Sequence, residues 1–170
     1  MNRKIINLGL FVLVVLLALT AYFEPGKQQA VEKRVPLTHL KPEEVSFIRI
    51  SDNRGRNLVM EKQQGSWQMT SPYKKPADEQ RIKQLLGITT THSFNRFEIP
   101  EDRLAEFGLA PASIHLQLNN VTLEIGGNET LQFRRYVRID GQLHLINNGY
   151  HHHLMAQADD FVRKAEMPTP

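Results

Sequence analysis

The sequence predicts an α+β fold: a largely antiparallel sheet built from a β-meander and two hairpins, with packed helices, preceded by a single N-terminal transmembrane helix. Three observations predict it. The first 23 residues hold an uncharged apolar run, several later stretches alternate apolar and polar residues between turn-forming breaks, and two stretches switch to helical spacing. One sheet carrying helices near 76–87 and 149–166 on its apolar face buries such a set. The expected organisation is an anchor over 1–23, a stalk over 24–44, an extracytoplasmic domain over 45–166 and a tail over 167–170.

The run "IINLGLFVLVVLLALTAYF" (5–23) carries no charge. As a helix it would be roughly 28 Å long, close to the hydrocarbon thickness of a bilayer. Arg3 and Lys4 precede it, which predicts a cytoplasmic N-terminus and a translocated remainder. A cleaved signal peptide is the competing reading. The run is longer than the usual apolar core of one, and a cut after Ala21 would place Leu19 where a small residue belongs. The following "EPGKQQAVEKRVPLTHLKPEE" has three prolines and scattered charge, and reads as a stalk.

Charge excludes some functions. Of the 21 Lys and Arg residues, Arg3 and Lys4 lie in the acid-free first 23, so the rest is 19 basic against 18 acidic. A nearly neutral domain has no global field to gather nucleic acid. Cysteine is absent, which excludes disulfides, thiol nucleophiles and Cys-based zinc sites.

Within the domain, "VSFIRIS" (45–51), "NLVMEK" (57–62) and "SWQMT" (66–70) predict a meander with Trp67 and Met69 on its core face. Pro76, Asp78 and Glu79 suit a helix start, and Ile82, Leu85 and Leu86 form its apolar stripe. "HSFNRFEI" reads as a short strand. "PEDRLAEF" predicts a short helix that Gly108 stops in the left-handed conformation, with Leu109 folding back on Leu104 and Pro111 forbidding resumption. An Asn119-Asn120 turn then sets Leu118 opposite Val121 and Leu116 opposite Leu123, with all the apolar residues on one face. Gly126-Gly127 reads as a turn ending that strand. In "RRYVRIDGQLHLIN" a three-residue loop or bulge is expected, pairing Ile139 with Leu143 and Val137 with Leu145, because one face must be apolar. Tyr150, Leu154, Ala158 and Phe161 predict a closing helix.

The ordered set "GSWQMTSP", "PADEQRIKQLL", "LAEFGLAPASIHLQL", "LEIGG", "RRYVRIDGQLHLI" and "DDFVRK" resembles the bacterial domain-of-unknown-function family 4340, from about Val45 to Lys164. The resemblance implies an envelope protein, commonly membrane-anchored, and some relatives occur with components of gliding-motility-type ABC exporters. It implies no catalytic residues. Many relatives are longer, with repeated copies, whereas this chain has room for one.

Two clusters invite a site. His151, His152 and His153 are consecutive, so on a helix they lie ~100° apart and cannot all face one metal; Met155, His144 and His92 complete them poorly. A metal is therefore disfavoured and no cofactor is expected. On strand alternation Arg134 and Arg138 share a face with Tyr136, while Arg135 lies opposite. That strip suits a partner surface or an anionic ligand, with cross-strand pairing to acids as its plainer role. No HExxH or GxSxG motif and no phosphate-loop glycine pattern occurs. The expectation is a non-catalytic periplasmic accessory domain of the bacterial inner membrane. It is held in the membrane by residues 5–23 and presents a sheet face to an envelope protein complex such as a transporter. A lipid- or glycan-binding carrier or sensor is the alternative.

Overall fold

The computed structural model describes residues 35–163 and, ahead of them, residue 7 and residues 10–15. The chain divides into two units, Met1–Lys33 and Arg34–Pro170. In the first, residues 10–15 are helical and their apolar side chains are exposed. Among the described residues no helix is long and apolar enough to cross a membrane. Most of the span expected over 5–23, and the tail over 167–170, lie outside the described residues.

Among the described residues of the second unit, nine strands form one sheet. They are β1 (Phe47–Asp52), β2 (Asn57–Gln63), β3 (Ser66–Ser71), β4 (Lys75–Pro76), β5 (Asn95–Glu98), β6 (Ile114–Leu118), β7 (Val121–Glu129), β8 (Arg134–Ile139) and β9 (Gln142–Asn147). Their order is β4-β3-β2-β1-β6-β7-β8-β9-β5, antiparallel throughout. With helices α1 (Glu79–Leu86) and α2 (His151–Leu154) the fold is α+β, as the periodicities predict. Ile48, Ile50, Leu116, Leu123, Ile125 and Val137 are buried on the first face, in one core with Ile82 and Leu85 of α1 and with Phe161. Trp67 and Met69 join it as expected.

Helix α1 starts later than Pro76, which belongs to β4. The Asp78 carboxylate caps it, accepting from the backbone N–H of Gln80 at 2.9 Å and Arg81 at 3.1 Å. The first hairpin has the expected register, Leu118 with Val121 and Leu116 with Leu123. Of the two turn residues only Asn119 takes positive φ. Its side chain also reaches β1: Oδ1 accepts from Ser46 N at 3.0 Å and Phe47 N at 3.1 Å.

The second hairpin corrects the expectation. Asp140-Gly141 makes a two-residue turn, pairing Ile139 with Gln142 and Val137 with His144. The premise of one apolar face fails here because both faces of β9 are covered. Ile146 faces the main core, and Leu143 lies in a second cluster with Leu104, Leu109 and Ala112. The cover is the 3-10 stretch Glu101–Phe107, stopped by Gly108 at φ 67°, with Leu109 N–H donating to Leu104 O at 3.0 Å. Gly126-Gly127 is likewise not a turn. The pair lies inside β7 at a register shift against β8, a bulge between Ile125 and Asn128.

The closing helix expected near 149–166 is cut short. Helix α2 ends at Leu154, and a 3-10 turn resumes at Ala158–Phe161. The Arg56 guanidinium donates to the carbonyls of Leu154 and Ala156, each at 2.7 Å, capturing the acceptors that a continued helix needs. Asp52 holds that guanidinium at 3.0 Å. Residues 35–44, expected within the stalk, belong to the domain: Leu37 is buried and its N–H donates to Thr91 O at 2.7 Å.

A methyl group at Gly126 would stand 2.4 Å from the Phe107 carbonyl oxygen, whereas one at Gly127 would stand at 3.4 Å. Gly126→Ala is therefore expected to cost about 2 kcal/mol through forced backbone displacement, and Gly127→Ala about 0.5 kcal/mol or less. Urea denaturation of the two variants checks the contrast; equal midpoints would refute it.

Candidate functional site

Strand β8 alternates as expected, with Arg134, Tyr136 and Arg138 on the second face and Arg135, Val137 and Ile139 in the core. The structure gives each member of the strip an internal contact. Arg138 pairs with Glu124, its neighbour on β7, at 3.2 Å and with Glu101. Tyr136 meets the Phe107 ring edge-on, with centroids 5.0 Å apart. The Arg134 guanidinium lies 3.9 Å over the Phe94 ring. The strip thus ties the second face to the segment that covers it.

The three histidines do not converge. The His152 and His153 rings lie tilted against each other with centroids 3.7 Å apart, while His151 lines a separate cavity. Among the described residues no group of three or more His, Cys, Asp or Glu could hold a metal. His92 pairs through its backbone with Pro36.

The cavity that His151 lines, about 480 Å³, opens beside the β7 bulge. Gly126 and Gly127 form one part of its wall, with Asp52, Arg54, Ser113, Arg135 and Met155 around it. Arg135 is only 6% exposed. Its Nη1 donates to Gly126 O at 2.6 Å and its Nε to Asn148 Oδ1 at 2.7 Å. Burial pulls the guanidinium below its ordinary pKa. Among the described residues Arg135 forms no ion pair. His151 is also held below the usual histidine range, first by burial, then by the charges of Arg135 and His152. Its Nδ1 is buried without a hydrogen-bond partner. Sequence reasoning passed over Arg135, although alternation alone sets it beside Val137 and Ile139. A cation in an apolar register is the signal that would have found it.

One contact resembles a nucleophile–base pair. His144 Nδ1 lies 3.1 Å from Ser93 Oγ, and the ring is 3% exposed. Ser93 gives its single proton to Asn95 O at 2.7 Å, so the hydroxyl accepts from His144 Nδ1–H. That polarity is opposite to activation of the serine, which needs the ring nitrogen to receive its proton. The pair instead fastens the loop ahead of β5 to β9.

This architecture defines a small α+β domain built on one antiparallel sheet, with a cavity at an internal bulge. The family model described as "Domain of unknown function (DUF4340)" matches residues 67–169, from the Trp67 strand through α2, and the chain belongs to that family. The match starts later than the resemblance seen from Val45. No curated protein and no solved structure matches the chain.

Burial, with the Arg96 charge second, lowers His144 from 6.5 to about 4. The folded state therefore refuses a proton that the unfolded chain accepts below 6.5. This contribution is full above that pH and is lost as pH falls toward about 4. Over that window the loss is about 3 kcal/mol. His144→Gln should flatten the acid limb of a stability–pH curve between those limits; an unchanged limb would contradict it.

Proposed function

We propose that this chain is a membrane-tethered, non-catalytic accessory domain on the periplasmic side of a bacterial inner membrane, and that it docks an envelope protein through the β7–β8 tip. The tip is the observation that carries the reading. Leu131 and Phe133 are 87% and 82% exposed. They are not loose ends: the Glu129 carboxylate accepts from the N–H of Leu131 at 3.0 Å and of Gln132 at 2.9 Å. Phe133 is held at φ 52°, a costly conformation for an aromatic residue. Two apolar side chains on a fixed turn, next to Arg134, have the composition of an interface anchor. The uncharged run over 5–23 behind Arg3 and Lys4, and the exposed apolar helical residues 10–15, support the tether.

The carrier reading draws on a different feature. A groove of about 920 Å³ runs between α1 and the start of the domain, with Pro42, Trp67, Ile82 and Leu86 in its lining. Lipid or sugar retained by the purified protein in native mass spectrometry would favour it over docking.

A photo-crosslinking residue at position 131 or 133 of the full-length chain should give one discrete protein adduct in native membranes. The same residue in place of Arg49, on the open sheet face, should give none. Leu131→Ser with Phe133→Ser should weaken partner co-purification at least about tenfold without lowering the thermal midpoint. Adducts from position 49 and none from the tip would overturn the docking surface. A cytosolic reporter signal from a fusion after Pro170 would overturn the topology.

A further inference from the structure

The bulge cavity contains a buried cation whose charge no acid among the described residues answers. Two of the Arg135 nitrogens are engaged by uncharged acceptors, the Gly126 carbonyl and the Asn148 side chain. Nη2 has no acceptor among the described residues, and Arg135 is absent from every ion pair there. A guanidinium buried on its other sides, with Nη2 left open to the cavity, gains from an anion held close to it. The acid in the same wall does not serve. Asp52 is committed to Arg56 Nε at 3.0 Å and to the backbone N–H of Arg54 at 2.9 Å and of Arg56 at 3.1 Å.

Beside Arg135, His151 brings a second group with spare capacity. Its side chain makes no hydrogen bond among the described residues; Nδ1 is closed off from solvent, so the ring meets a ligand through its other nitrogen, Nε2–H donating to an oxyanion. Two glycines replace side chains in the wall, and their close contacts with the 101–109 stretch hold the backbone in place. The volume of about 480 Å³ exceeds what a bare ion fills and suits a small organic anion.

We infer that this cavity binds a small ligand bearing an oxyanion, phosphoryl or carboxylate, with Arg135 supplying the charge through Nη2 and His151 donating through Nε2–H. This site does not rest on the docking reading, and either stands if the other fails.

The test uses the full-length protein in detergent, titrated calorimetrically with inorganic phosphate and with succinate against chloride at matched ionic strength. Saturable binding of at least one oxyanion with a Kd of about 1 mM or tighter is expected, with a rise in thermal midpoint that chloride does not reproduce. His151→Ala breaks no hydrogen bond of its side chain, so it should fold as the parent does and bind about tenfold more weakly. Arg135→Gln should abolish binding; because it also disturbs Gly126, the His151 variant decides the matter if the glutamine variant fails to fold. Response to phosphate alone assigns a phosphoryl ligand, and response to succinate alone a carboxylate. Competition by phosphate against phosphatidylglycerol vesicles would assign a lipid headgroup rather than a soluble anion. No saturable heat with either oxyanion, or undiminished affinity in His151→Ala, would overturn the inference.

Discussion

The structure turns on one approach of backbone to backbone. The Phe107 carbonyl sits so close to Gly126 that no side chain fits between them, and Gly108, in the left-handed conformation, has no room for one against the Gly127 backbone either. This contact lets the stretch from Glu101 to Phe107 lie on the second face of the sheet. Once it lies there, Leu104 and Leu109 close over Leu143, and the β8–β9 end is buried on both sides. The same contact coincides with the place where β7 leaves its ladder with β8. The freed Gly126 carbonyl is what Arg135 reaches from the core side. Cover, bulge and buried cation are consequences of a single constraint, and it explains why two adjacent glycines occur inside a strand.

How much of this was legible depends on how local the deciding interaction is. The first hairpin was read to the residue because its outer side chains, His115 and Gln117 among them, remain partly open while Leu116 and Leu118 are buried. Alternation then carries full information. The second hairpin defeats that logic. Leu143, His144, Leu145 and Ile146 are all buried, so the polar Gln142 and His144 mark no solvent side and the alternation points to the wrong register. The closing helix fails for a longer-range reason. Its apolar spacing is genuine, and Leu154 and Phe161 do reach the core, yet Arg56, about a hundred residues earlier in the chain, takes the carbonyls between them. No window of local periodicity contains that competition.

The site shows the same division. Alternation correctly separated Arg134 and Arg138 from Arg135. Arg134 and Arg138 are half-buried, and their charges are absorbed by Glu101, Glu124 and an aromatic ring. The burial of Arg135 was implicit in the pattern, but its lack of a counter-charge among the described residues was not, since Asp52 in the same wall is taken by Arg56. Nor does sequence reveal that the tip beyond β7 is a built turn, because Glu129 acts on backbone N–H groups whose conformation the residue types do not specify.

Cavity and tip belong to the same hairpin, with only the pairs Asn128–Arg135 and Glu129–Arg134 between the bulge and the turn. A bulge bends its strand and sharpens the local twist, so the direction in which Leu131 and Phe133 project is set where Arg135 grips the Gly126 carbonyl. The Asn148 N–H, donating to Phe133 O at 3.3 Å, ties the tip to the same residue whose side chain accepts from Arg135 Nε. One guanidinium therefore stands behind both ends of the hairpin's geometry. This accounts for an interior arginine better than packing does, because an apolar residue of similar volume would fill the space and leave the bulge carbonyl without a donor.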